Sequence, residues 1–146
     1  MKSLALAALL LLAASANAQN SFVCAADHSV GLKFDKTTKR WKPAIFNASD
    51  KYLITRANEI QRKQGQRWEI RTIGSDSPSF TCKEEFTERG ILTCEGFGEF
   101  VFNKKSNRFL TSYMMGYVYD GPDHPFGIEE GADTPSLTAG RCSATQ

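Results

Sequence analysis

Along residues 19–146 the apolar positions fall in short runs, and none sustains the three-to-four-residue period of an amphipathic helix. The runs are rich in β-branched and aromatic residues. Gly, Asn, Asp, Ser and Pro separate them, which is the pattern of strands joined by turns. A strand is predicted to begin at Phe22-Val23-Cys24, and others to cover Val30–Phe34, Arg40–Phe46, Tyr52–Arg56 and Arg67–Ile73. Residues 57–66 are polar and read as a long hairpin loop or one frayed helical turn. In the second half the predicted strands are Phe80–Lys83, Ile91–Glu95, Gly98–Phe102, Arg108–Tyr113 and Gly116–Tyr119, followed by a closing segment that ends at Cys142. Pro43 cannot donate to a ladder, so its strand is expected at an edge or a bulge. The fold class implied is all-β: one small antiparallel barrel or sandwich of roughly eight or nine strands, built from hairpins.

Two stretches match at a constant offset of 68 residues: Phe34 to Trp41 and Phe102 to Phe109. Each has an aromatic, Asp or Asn, lysine, a hydroxyl residue, arginine and a second aromatic. An Asp or Asn side chain can cap such a turn, leaving the aromatics facing each other across two strands. The pair suggests either a pseudo-repeat (24–82 and 94–142) or convergence on one good turn.

The four cysteines, Cys24, Cys82, Cys94 and Cys142, are an even set without the close spacing of zinc ligands, which predicts two disulfides. A hairpin turning near Glu88-Arg89-Gly90 favours Cys82–Cys94, and Cys24–Cys142 would then tie the ends together. A true duplication would favour Cys24–Cys82 with Cys94–Cys142 instead.

The first 18 residues differ from the rest. Lys2 precedes an unbroken apolar run from Leu4 to Ala14, and Ala16-Asn17-Ala18 has the small-x-small form of a cleavage site. This predicts a signal peptide cut near Ala18-Gln19 and a periplasmic or secreted product. The run is too short to span a bilayer as a helix, so no stable membrane insertion is expected after cleavage. The small residues before the cut suit a bacterial envelope protein. In a eukaryotic host, Asn47-Ala48-Ser49 would fit a glycosylation sequon.

Without Lys2 the chain carries 17 basic and 16 acidic side chains, a balance that gives no reason to expect nucleic acid. The distribution is uneven: residues 33–71 hold 11 Lys/Arg against 4 Asp/Glu, and residues 115–146 hold one Arg against 5 acidic groups. Such a dipole can orient a charged partner. Trp41 and Trp68 interleave with the Arg/Lys of residues 39–71, and Tyr113, Tyr117 and Tyr119 are the aromatics best suited to a half-wet surface. With Arg40 they form the candidate binding surface, and its expected partner is an envelope or extracellular protein or an anionic polymer. A packed sheet core should claim about half of the seven aromatics crowded into residues 97–119, Phe97, Phe100, Phe102, Phe109, Tyr113, Tyr117 and Tyr119.

Two other chemistries are conceivable. Asp120, Asp123, Glu129, Glu130 and Asp133 supply the hard oxygen ligands that calcium takes, although their spacing fits no EF-hand loop. A small ligand inside a barrel belongs to the same alternative. Asp27-His28 and Asp123-His124 each offer a histidine with a carboxylate beside it, the minimum for a hydrolase base, but no nucleophile motif accompanies either. No catalytic residue is assigned and no cofactor is expected.

Overall fold

β1 (Ser21–Asp35) runs for 15 residues, and the architecture follows from its length. In the computed structural model, which describes residues 21–118 and 133–145, eight antiparallel strands close into a barrel. After β1 come β2 (Arg40–Phe46), β3 (Lys51–Arg56), helix α1 (Glu59–Lys63), β4 (Trp68–Thr72), β5 (Phe80–Cys82) and β6 (Ile91–Gly96). β7 (Gly98–Asn103), β8 (Arg108–Tyr113), helix α2 (Met115–Val118) and β9 (Ser136–Ala144) complete the order. The barrel is formed by β1 and β3 to β9, with β9 returning to pair with β1, while β2 is bonded to β1 alone. β3 takes residues 21–25 of β1 and β2 takes residues 29–35. β2 and β3 are therefore two lengths of one course along the same edge of β1, interrupted at residues 47–50.

The barrel form resolves the choice between barrel and sandwich, and Pro43 lies on the extra edge strand, as its missing donor requires. Two predicted strand segments, 22–24 and 30–34, prove to be one strand. The register against β9 shifts between Ala26 and His28, a bulge that changes which side chains face inward. Phe22 and Cys24 point into the barrel before it, and Ser29 does so after it. The predicted strand at 116–119 is corrected. Residues 115–118 form a helical turn, in which the Tyr117 and Val118 amides donate to the Met114 carbonyl. β8 is already flanked by β7 and β9, so a further strand there has no edge to join.

The interior is aromatic. Phe22, Phe100, Phe102 and Phe109 are each at most 3% exposed, and burial of each contributes roughly 2–3 kcal/mol. Phe100 stacks on Phe109 with centroids 5.0 Å apart, and Phe22 meets Phe102 edge-on at 4.8 Å. Phe86, from the loop between β5 and β6, closes one end of the barrel against Trp68 at 5.0 Å. Opposite Phe109 stands Gly140, where a Cβ would lie 2.6 Å from the Phe109 ring and 2.1 Å from the Ala25 carbonyl oxygen.

The disulfides are Cys24–Cys142 and Cys82–Cys94. Cys24 stands directly opposite Cys142 in the β1–β9 ladder, so the bond spans the seam where the barrel closes. The turn before β6 falls where expected, with the Gly90 amide donating to the Thr87 carbonyl.

The two stretches 68 residues apart are both hairpin turns. Asp35 Oδ1 accepts from the Thr37 and Thr38 amides, and Asn103 Oδ1 accepts from the Lys105 amide. Lys39 and Asn107 close the turns with φ of 52° and 56°. The aromatics pair across the strands as Phe34 with Trp41 and Phe102 with Phe109. The likeness stops there: β1 continues as one strand to Ser21, whereas β7 begins at Gly98 and reverses into β6. Among the described residues, no helix is long and apolar enough to cross a membrane.

Candidate functional site

β9 begins at Ser136, opposite Gly31, while β1 continues to Asp35 before returning as β2. The β1–β2 hairpin therefore projects past the open end of the barrel. Its backbone orientation follows from one hydrogen bond. The Leu32 amide donates to the Pro135 carbonyl at 3.1 Å, on the β9 side. In an antiparallel ladder a residue's N–H and C=O point the same way, and neighbours alternate. Leu32 is paired with Pro43, so the Pro43 nitrogen points away from β1, and so do the polar groups of Trp41 and Ile45. The outer edge of β2 thus presents two amides and three carbonyls, with Pro43 at the one position where no donor exists.

Side chains divide by the same alternation. Val30, Leu32, Pro43 and Ile45 form an apolar shelf on one face, with Ile45 88% exposed. Phe34 and Trp41 continue it at 5.4 Å, and Tyr117 of α2 rests edge-on against Trp41 at 5.5 Å. The hairpin also carries Lys33, Lys36, Lys39, Arg40 and Lys42 against one carboxylate, Asp35. The Lys42 ammonium bonds that carboxylate and, with the turn amides, holds Asp35 well below the usual carboxylate range. The remaining four cations leave the hairpin strongly positive.

Of the residues singled out from sequence, Trp41 and Tyr117 are brought together here, while Arg40 is exposed at the start of β2 and alternates to the opposite face of the hairpin. Trp68 is not on this surface. It is 2% exposed at the opposite end of the barrel, because β4 alternation points it inward with Ile70. Its indole N–H donates to Glu85 Oε2 at 2.9 Å, and the Arg56 guanidinium lies 4.2 Å from its ring centroid. Tyr113 sits at the barrel mouth, where its hydroxyl donates to Asp133. Burial and the Asp133 carboxylate push its pKa up to about 12.

Tyr119 and four of the five acidic candidates, Asp120, Asp123, Glu129 and Glu130, lie outside the described residues, as does His124. Asp133, the fifth, accepts from Tyr113 and from the Thr134 amide. Among the described residues no group of three or more His, Cys, Asp and Glu is placed to hold a metal ion. His28 is exposed beside the β1 bulge, and the carboxylate of Asp27 faces Arg141 at 3.7 Å.

Sequence reasoning missed Val30, Ile45 and Lys33. Their signal was present as the alternation Trp41, Pro43, Ile45, but its weight depends on β2 having an open edge. The chain matches no family model, and comparison with curated proteins and with solved structures gives no significant match.

Proposed function

We propose that this protein is a non-catalytic binding module that captures an extended, acidic protein segment along the outer edge of β2. The observation that carries the reading is the orientation of that edge, with the Trp41 and Ile45 amides and three carbonyls directed away from β1. Strand addition at such an edge takes affinity from main-chain hydrogen bonds and specificity from alternate side chains. The shelf of Val30, Leu32 and Ile45 would receive the apolar residues of the partner, and the hairpin cations would receive its carboxylates. We place this activity outside the cytoplasm, in a bacterial envelope or secreted. The leader-like character of residues 1–18 and two buried disulfides support that placement.

The test is fluorescence anisotropy with a labelled alternating Glu-Val peptide and an alternating Lys-Val control. The acidic peptide is expected to bind, and to bind less tightly as salt is raised. Ile45→Pro removes one edge donor and no bond to β1, and should weaken binding about tenfold with little change in melting temperature. Equal binding of both peptides, or full affinity in Ile45→Pro, would refute the reading.

A further inference from the structure

Beside the hairpin the barrel opens into a cleft of about 480 Å³ whose lining differs from both the shelf and the core. Below it the interior is closed by rings. Tyr52 and Phe80 lie 5.3 and 5.5 Å from Phe100, and these three aromatics make the floor. Across the strands beside Phe100 the chemistry changes abruptly. Phe100 pairs with Thr111, Thr111 with Thr138, and Thr138 with Ser29, so three neighbouring strands turn hydroxyls inward at one level. Thr111, Thr138 and Ser29 are 8%, 4% and 7% exposed, and the Ser29 and Thr138 hydroxyl oxygens are 2.9 Å apart. Across the cleft, Thr72 Oγ1 and Ser79 Oγ form a second hydroxyl pair at 2.9 Å.

We infer that this mouth is a binding site for a neutral, polyhydroxylated ligand of the saccharide class. Among the described residues, ten of the fifteen that line it carry a hydroxyl, and none is Lys or Arg. A hydroxyl both donates and accepts and rotates to suit its partner, so the lining matches a ligand with mixed donors and acceptors and gives an anion no cation. Among the described residues the one lining carboxylate, Asp50, is approached by the Tyr52 hydroxyl at 3.4 Å, and no group of three or more His, Cys, Asp and Glu is placed to hold a cation. Phe80 and Phe97 line the same space and supply flat apolar faces for the C–H side of a pyranose ring. Tyr52 and Tyr113 turn their O–H groups to Asp50 and Asp133, so toward the cleft their hydroxyl oxygens serve as acceptors; both pKa values are pushed up to about 12, by burial first and then by these carboxylates. The volume falls within the ~300–1,000 Å³ of small-molecule sites.

The experiment is an amide NMR titration of the oxidised protein with maltotriose, cellotriose and chitotriose, each to about 10 mM. Inorganic phosphate and putrescine serve as charged controls. At least one saccharide should give saturable shifts at Tyr52, Thr72, Gly98, Thr111 and Thr138, and neither control should. Thr111→Val keeps the side-chain shape and should weaken binding about fivefold to tenfold. Ser77→Trp, at the exposed rim, should block it without disturbing the core. Ile45→Pro should leave these shifts unchanged, which separates this site from strand addition at β2. Absence of saturable shifts at the mouth with all three saccharides would overturn the inference, as would stronger binding of phosphate there or full affinity in Ser77→Trp.

Discussion

The two disulfides should differ in what they contribute, and the difference can be worked out from their place in the chain. Cys24 and Cys142 are separated by 118 residues, and Cys82 and Cys94 by 12. All four half-cystines are at most 4% exposed, so replacing either pair with alanine removes comparable packing. What differs is the loop each bond closes in the unfolded chain. Loop-closure entropy assigns about 5 kcal/mol to the longer loop and about 3 kcal/mol to the shorter. The pair Cys24→Ala, Cys142→Ala should therefore be about 2 kcal/mol less stable than the pair Cys82→Ala, Cys94→Ala. In urea denaturation followed by tryptophan fluorescence, that gap corresponds to midpoints roughly 1–2 M apart. Equal midpoints, or a lower midpoint for the Cys82/Cys94 variant, would show that strain or residual structure outweighs chain entropy here.

Two further outcomes follow from side chains already described. The neutral form of Tyr113 is favoured in the folded protein, by burial first and then by Asp133, with its pKa pushed up to about 12. An unfolded tyrosine ionises at about 10, so its contribution is complete below pH ~10 and is lost as pH rises towards 12. Urea midpoints measured across that range should fall less steeply in Tyr113→Phe than in the parent, and parallel curves would contradict the assignment. Gly140→Ala brings a methyl group to within 2.1 Å of the Ala25 carbonyl oxygen and 2.6 Å of the Phe109 ring. Denaturation should report a loss of about 1–3 kcal/mol, and an unchanged midpoint would mean that the β1–β9 seam yields readily.

Local features were legible in the sequence wherever neighbours decide them. The β7–β8 hairpin follows from clean alternation and the Asn103 turn, and β2 was bounded at Arg40 and Phe46 because both flanks are polar. The full length of β1 was not legible. Ala25, Ala26, Asp27 and His28 are small or polar, and the bulge within them changes the inward phase, so a period-two reading loses the strand midway. Gly116–Tyr119 has the composition of a strand, and only the absence of a free edge beside β8 makes it a helical turn. Trp68 could have been placed correctly, since Trp68, Ile70 and Thr72 alternate inward, but the arginines on either side drew it towards the surface. Barrel closure and the projecting hairpin depend on β9 meeting β1 across more than a hundred residues, which no local pattern encodes.

If the chain is exported, as proposed above, the bond across the seam also bears on the order in which an oxidising environment meets the cysteines. The cysteines emerge as Cys24, Cys82, Cys94 and then Cys142, and the native partner of the first is the last. A chain delivered N-terminus first offers Cys24 two wrong thiols before the right one exists, and β1 then has no β9 to hold it in register. Vectorial oxidation therefore favours consecutive pairing, Cys24 with Cys82 and Cys94 with Cys142. Thiol–disulfide exchange by thiolate attack is the route from that state to the native one. On the exported location proposed above, maturation of this barrel would be a sorting problem settled by its final strand, and its yield should follow the supply of a disulfide isomerase more closely than the supply of oxidant.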